Sequence, residues 1–163
     1  MHVILGLGSN QGDSAGILRE ALKALETVLT NLRAASFYRT RPLHVEDQPL
    51  FLNTACSGET EDTPLALLGK INAIEQRFGR DRTKERRWGE RTLDIDILFA
   101  GELVFSFSEL DVPHPRLYQR RFALEPLLEL EPDAADPRSG ERLELICRRL
   151  ADQGVEKLRP DEI

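Results

Sequence analysis

The sequence predicts one domain of mixed α and β structure, on three observations. A chain of 163 residues fits a single domain and can hide roughly 68–70% of its unfolded surface. Between Ser14 and Leu32, the apolar residues Ile17, Leu18, Ala21, Leu22, Leu25, Val28, Leu29 and Leu32 keep helical spacing along one face, the pattern of a helix laid on a sheet. Between Leu93 and Phe99, Leu93, Ile95 and Ile97 alternate with Asp94 and Asp96, the period of a half-buried strand. The expected unit is residues 1–163 as one domain.

Taken in order, His2 to Leu7 is an apolar strand, and Gly6-Leu7-Gly8-Ser9-Asn10-Gln11-Gly12 follows it before the first helix. A dinucleotide fingerprint would need glycine where Gln11 stands, and no phosphate loop occurs elsewhere. The segment reads either as a turn whose glycines permit positive φ or as a loop presenting Ser9, Asn10 and backbone to a ligand. After the helix, Ala34 to Arg39 is a strand with Phe37 and Tyr38 on opposite faces, and residues 41–49 form a proline-bounded polar loop. Phe51 to Thr60 returns to strand, with Phe51, Asn53 and Ala55 on one face. Thr63 caps a helix that begins at Pro64 and stops at Gly79. Gly101-Glu102 suits a tight turn that brings Leu103 to Phe107 back against the aspartate strand. Val112-Pro113-His114-Pro115 is extended by proline geometry, helices follow at 122–130 and 143–150, and the tail from Arg159 to Ile163 is expected to be loose.

Composition narrows the partners. The chain is 40% hydrophobic and 31% charged with a formal net charge of -6, which argues against broad nucleic-acid or membrane-surface binding because both need extended positive potential. Cys56 and Cys147 are far apart without a metal-binding spacing, so they read as buried thiols of a reducing compartment. The apolar run Val3 to Leu7 is too short for a signal or a membrane span. The cytoplasm is the expected location.

One local exception to the acidic balance carries the chemistry. Asp94 and Asp96 stand on the same face of their strand, their Cα atoms about 6.5 Å apart, and adjacent acids of this kind are commonly held together by a cation. Just upstream lie Arg80, Arg82, Lys84, Arg86, Arg87 and Arg91 around the lone Trp88. Carboxylates able to hold Mg²⁺ beside cations able to hold phosphates point to nucleotide chemistry. Asn53 beside Phe51 suits a flat heteroaromatic ligand or a solvated strand. Glu75 faces a ligand or the solvent, and His114, between prolines and near arginines, suits either a phosphate contact or a structural place.

With these residues laid out, the chain resembles the 6-hydroxymethyl-7,8-dihydropterin pyrophosphokinase family of folate biosynthesis. The family signature is met by Arg87, Gly89, Arg91, Asp94, Ile95, Asp96, Ile97 and Leu98. Other landmarks agree in order: Gly8-Ser9-Asn10, Ser36-Phe37-Tyr38-Arg39-Thr40 with Pro42, Asp47-Gln48-Pro49 leading to Phe51-Leu52-Asn53, and Pro113-His114-Pro115 before Arg120 and Phe122. The match runs from Ile4 to about Leu130. Phe51 stands where some relatives carry a tyrosine, which keeps stacking and loses a hydroxyl.

The resemblance implies an α+β, ferredoxin-like fold with a mainly antiparallel sheet, and pyrophosphoryl transfer from ATP to the pterin hydroxymethyl with release of AMP. It implies that Asp94 and Asp96 hold two Mg²⁺ ions, and that Arg82 and Arg91 act in catalysis and on the nucleotide with Glu75, His114 and Arg120. The pterin would lie between Phe51 and Phe122, read by Asn53 and the backbone near Thr40 and Leu43, with Trp88 closing over it. Loops 41–50 and 81–90 are expected to order around both substrates. Small molecules are the expected partners of a monomer, with neither nucleic acid nor membrane bound. A ferredoxin-like binding module without turnover is the alternative class; it would keep its ligand when either aspartate is replaced.

Overall fold

The computed structural model describes residues 1–40, 49–79 and 92–163. Leu43, Arg82, Trp88 and Arg91 lie outside the described residues, as do nearly all of the two loops expected to close over the site. Among the described residues the main sheet has six strands. β1 (His2–Ser9) is central and pairs antiparallel with β4 (Phe51–Glu59) on one side and β5 (Asp94–Ala100) on the other. Beyond β4 lie β3 (Tyr38–Thr40) against one end and β2 (Thr30–Ala34) against the other, and β8 (Glu156–Lys157) pairs with β3. β5 is therefore a sheet edge.

Alternation along β1 assigns the two faces. Val3, Leu5 and Leu7 join Leu93, Ile95, Ile97 and Cys56 in a core covered by α1 (Ser14–Leu25) and α2 (Pro64–Arg77). Ile4 joins Leu98 and Phe99 in a second core covered by α3 (Arg121–Leu130) and α4 (Leu143–Arg149), through Leu124, Leu127, Leu143 and Ile146. The helices start as their sequences dictate: Asp13 accepts the Gly16 amide and Thr63 accepts the Ala66 amide. Gly79 ends the α2 segment at φ 81°, the left-handed conformation that favours glycine there. The fold is the α+β, mainly antiparallel one that the resemblance implied, with helices packed on its sheet.

Four local expectations are corrected. The first helix ends at Leu25, because the Thr27 hydroxyl turns back to the Ala24 carbonyl and Asn31 adopts φ 53°; the apolar residues after it pack from a turn and from β2. Gly6 and Gly8 are paired strand residues, and in this loop only Gly12 takes positive φ, at 73°. The segment after Gly101 does not pair with β5: β6 (Phe105–Ser106) pairs with β7 (Asp111–Val112) in a separate ribbon. The outer edge of β5 is already engaged, since His114 donates its amide to the Leu98 carbonyl at 3.0 Å. Finally, the C-terminal segment is tied down just before its end, with Leu158 buried and its amide on the Phe37 carbonyl at 2.8 Å. A short 3-10 turn then closes at Pro160–Glu162. The Val112–Pro113 bond is cis.

Candidate active site

The candidate site lies on the α3 side of the sheet, where β1 runs between β5 and β4. On this face β1 presents Ile4, Gly6 and Gly8; opposite them β5 places Asp96 across from Gly6 and Asp94 across from Gly8, while β4 places Asn53 across from Gly8 on the other side. Two glycines at alternate positions of a strand remove the side chains that would otherwise fill the space between the carboxylates and the asparagine. The fit is close: a Cβ at Gly8 would meet Asn53 Oδ1 at 2.9 Å, and one at Gly6 would meet Leu98 Cδ1 at 3.3 Å. The sequence did carry this signal, in glycines spaced by two within an apolar strand, although the turn reading obscured it.

The acidic wall holds Asp94 and Asp96, both half-buried. His114, which follows β7, brings Nε2 to 3.7 Å from Asp96 Oδ2. Its Nδ1 accepts the Arg116 amide at 3.2 Å, so the ring carries its proton on Nε2 and presents a donor toward the aspartates. Burial, with Arg120 nearby, pushes this imidazole down to about 4 against the opposing pull of Asp94. His114 is therefore a neutral donor at physiological pH. Two half-buried carboxylates on one face of a strand offer hard oxygen donors without a closed protein cage, the donor set that suits Mg²⁺ completed by phosphate oxygens.

The opposite wall carries amide, hydroxyl and aromatic groups. Asn53 and Thr40 are nearly buried, and Asn53 Nδ2 donates to Thr40 Oγ1 at 2.7 Å, which fixes the amide with its oxygen turned to the Gly8 side. Phe51, half-buried, is the cross-strand partner of Thr40. At the start of α3 the Arg120 guanidinium lies over the Phe122 ring, 5.4 Å from its centroid. That contact couples a cation to an aromatic surface, and it was not foreseen from the sequence. A carboxyl behind this wall keeps it in place: Glu129 of α3 accepts from Tyr38 Oη at 2.7 Å, from Ser36 Oγ at 2.8 Å and from the Ser36 amide at 3.1 Å. Burial raises the Glu129 acid, and these hydrogen bonds outweigh it, holding the carboxyl below its ordinary value.

Glu75, Ser9 and Asn10 are buried, each with a partner inside the fold. Glu75, expected at the nucleotide, is 1% exposed under the outer edge of β5, with Oε1 accepting the Ile95 amide at 2.8 Å. Ser9 and Asn10 are buried; Ser9 bonds Ser14, and Asn10 Nδ2 donates to the Pro49 carbonyl at 3.2 Å, anchoring the chain just before β4. Both cysteines are free and buried, and burial pushes the Cys56 thiol up to about 12.

Comparisons with known proteins identify the family and the fold. The family model described as 7,8-dihydro-6-hydroxymethylpterin-pyrophosphokinase (HPPK) matches residues 4–132. The chain is 39% identical over 158 residues to the 2-amino-4-hydroxy-6-hydroxymethyldihydropteridine pyrophosphokinase of Haemophilus influenzae, covering 96% of this chain and 97% of that one. It is 42% identical over 128 residues to the protein of the same name from Bacillus subtilis, covering 77% of this chain and 75% of that one. The mitochondrial folate synthesis bifunctional protein of Arabidopsis thaliana is 42% identical over 136 residues, which are 83% of this chain and 24% of that protein. A crystal structure of wild-type Plasmodium falciparum HPPK-DHPS with SDX-DHP shares the fold at TM-score 0.69 and 16% identity, covering 91% of this chain and 43% of that one. The chain thus spans less than half of that solved chain and about a quarter of the plant protein. By the span of the family match and the two bacterial relatives, the chain belongs to the 7,8-dihydro-6-hydroxymethylpterin-pyrophosphokinase family.

Proposed function

We infer that the pyrophosphokinase chemistry of the family runs at the candidate site between β5 and β4. ATP is the co-substrate, and the reaction carries its terminal pyrophosphoryl group to the hydroxymethyl oxygen of 6-hydroxymethyl-7,8-dihydropterin, releasing AMP, in folate biosynthesis. The observation that carries the placement is the register that sets Asp94 and Asp96 of β5 across Gly8 and Gly6 of β1, with Asn53 of β4 across Gly8 on the other side.

Each wall takes one substrate. The pterin lies against Phe51 and Phe122, with Asn53, the Thr40 region, Leu43 and Trp88 completing its pocket; aromatic faces hold the flat ring and the fixed Asn53 amide reads its polar edge. The triphosphate lies along β5, met by the neutral His114 donor, by Arg120 and by Arg82 and Arg91, where planar guanidinium forks match phosphate oxygens. Asp94 and Asp96 would hold Mg²⁺, two ions by our reading, and the metal would supply positive charge to the phosphates and favour ionisation of the attacking hydroxyl. Aligning that hydroxyl with the β-phosphorus lets the bond to the α-phosphate oxygen break as the new one forms. The chain acts as one domain over residues 1–163, a monomer in the cytoplasm binding small molecules. Among the described residues no helix is long and apolar enough to cross a membrane.

Phosphorus NMR of protein mixed with ATP, Mg²⁺ and the hydroxymethyl pterin tests this reading. AMP and a pterin diphosphate are expected; ADP, or unchanged ATP, would overturn it. Asp94→Ala and Asp96→Ala should each lower kcat about a hundredfold or more, roughly 3 kcal/mol of transition-state stabilisation, without lowering the melting temperature.

A further inference from the structure

The outer edge of β5 carries a backbone donor that no strand among the described residues satisfies. β5 pairs with β1 through Asp94 opposite Gly8 and Asp96 opposite Gly6. Residues of an antiparallel strand turn their backbone groups alternately toward one neighbour and the other, so Ile95, between the aspartates, turns its amide away from β1. Glu75 meets it: Oε1 accepts that amide at 2.8 Å from a side chain that is 1% exposed. The position is unexpected for an acid. Leu67, Ile71 and Ile74 are the other buried residues of α2, and Glu75 follows Ile71 by four, on the same apolar stripe. Burying a carboxyl there costs desolvation that a leucine would avoid.

We propose that Glu75 is a positioning residue for the phosphate chemistry: by holding the Ile95 backbone it sets the spacing and tilt of Asp94 and Asp96. The proposal rests on the reading that these aspartates hold metal, and it deepens that reading. Three features favour positioning over general support. The clamp falls between the two aspartates. Beyond Asp96 the register of β5 against β1 shifts, so the inner pairing alone does not define the strand across its length. His114, which faces Asp96, holds the strand from the same outer side through the Leu98 carbonyl. The aspartate segment is thus pinned along its outer edge at Ile95 and at Leu98, and the first pin is a side chain that substitution can remove. Partners that orient metal-binding groups without touching the metal commonly matter by about 10–100-fold in metal affinity.

The test uses the full chain as wild type, Glu75→Gln and Glu75→Leu. Glutamine keeps an acceptor oxygen, whereas leucine keeps the volume and removes it. Amide exchange is followed in the metal-free protein, Mn²⁺ affinity is measured beside a non-hydrolysable ATP analogue, and affinity for that analogue is measured again without metal. For Glu75→Leu, exchange at Ile95 is expected to quicken by about tenfold or more while β1 amides keep their rates. Its Mn²⁺ affinity is expected to fall by about tenfold or more, with metal-free nucleotide affinity unchanged. For Glu75→Gln, Ile95 protection and Mn²⁺ affinity should stay within about threefold of wild type. Unaltered Mn²⁺ affinity in the leucine variant, or a parallel loss of metal-free nucleotide affinity, would overturn the proposal. If the leucine variant does not fold, the glutamine variant decides alone, and a tenfold loss of Mn²⁺ affinity there overturns it. Asp96→Asn separates the two readings: if it binds Mn²⁺ as wild type does, the metal assignment has failed, whatever the Glu75 variants show.

Discussion

Gly8 and His114 show how much of the site depends on single residues without reacting chemistry. Gly8 matters for the side chain it lacks. An added Cβ would approach Asn53 Oδ1 to 2.9 Å, a contact that forces the amide to move and breaks its 2.7 Å hydrogen bond to Thr40. Gly8→Ala is therefore expected to raise the pterin Kd by about tenfold, roughly 1.4 kcal/mol, while Mg²⁺-ATP affinity stays near wild type. Gly6→Ala, which meets only the end of the Leu98 side chain, should be milder in calorimetric titrations with each substrate. His114 carries the pH dependence. Its folded value is about 4 against an ordinary 6.5, chiefly because it is buried. Its neutral form favours the fold fully above the unfolded value, and that contribution is lost as pH falls toward the folded one, because the unfolded chain takes a proton that the native state refuses. Denaturant titrations of the ligand-free protein from pH 7 to 4 should show wild type losing up to about 3 kcal/mol more than His114→Gln. Parallel losses would contradict the placement of this ring. The sequence exposed the aspartates because alternation is a local signal, but a histidine between prolines reads alike whether its ring meets solvent or a carboxylate.

At the scale of elements, the edge strand and the tether of α3 organise the two walls of the candidate site. β5 receives Glu75 and His114 along its outer edge, and this explains why the segment after Gly101 pairs elsewhere, as β6 with β7. The wall proposed for the pterin depends on α3, whose Glu129 receives Tyr38 Oη and both polar groups of Ser36. Losing these contacts in Glu129→Leu should cost about 1–2 kcal/mol of stability and weaken pterin binding more than ATP binding, because Phe122 and Thr40 lie on the elements they join. Equal weakening of both substrates would argue against a wall-specific role. The long elements were legible because their apolar period is set within the segment: α2 and β4 fall within a residue or so of their expected bounds. β2 and β8 were not. β2 continues the apolar spacing of the helix before it, so its start is set by the turn at Thr27 and Asn31. β8 has two residues and exists through its partner Arg39, whose guanidinium reaches Glu156 at 2.6 Å.

The whole molecule is a sheet with an apolar core on each face, and the candidate site lies at one end of one face. α1 and α2 seal one side, while α3 and α4 seal the other around Ile4, Leu98 and Leu127. Where β1 changes from Ile4 to Gly6 and Gly8, that second core gives way to the candidate site. Because both cores share β1 and β5, thermal unfolding is expected as one cooperative transition, and two separated transitions would contradict a single unit. The net charge of -6 leaves the polyanionic nucleotide to be drawn by local cations rather than by the field of the whole protein. In the proposed function the two halves are joined by metal at Asp94 and Asp96, and electron paramagnetic resonance of Mn²⁺ bound beside a non-hydrolysable ATP analogue addresses it directly. Two ions per wild-type chain are expected, with marked loss in both Asp94→Asn and Asp96→Asn; binding that both variants retain at wild-type strength would contradict the placement of catalysis on β5.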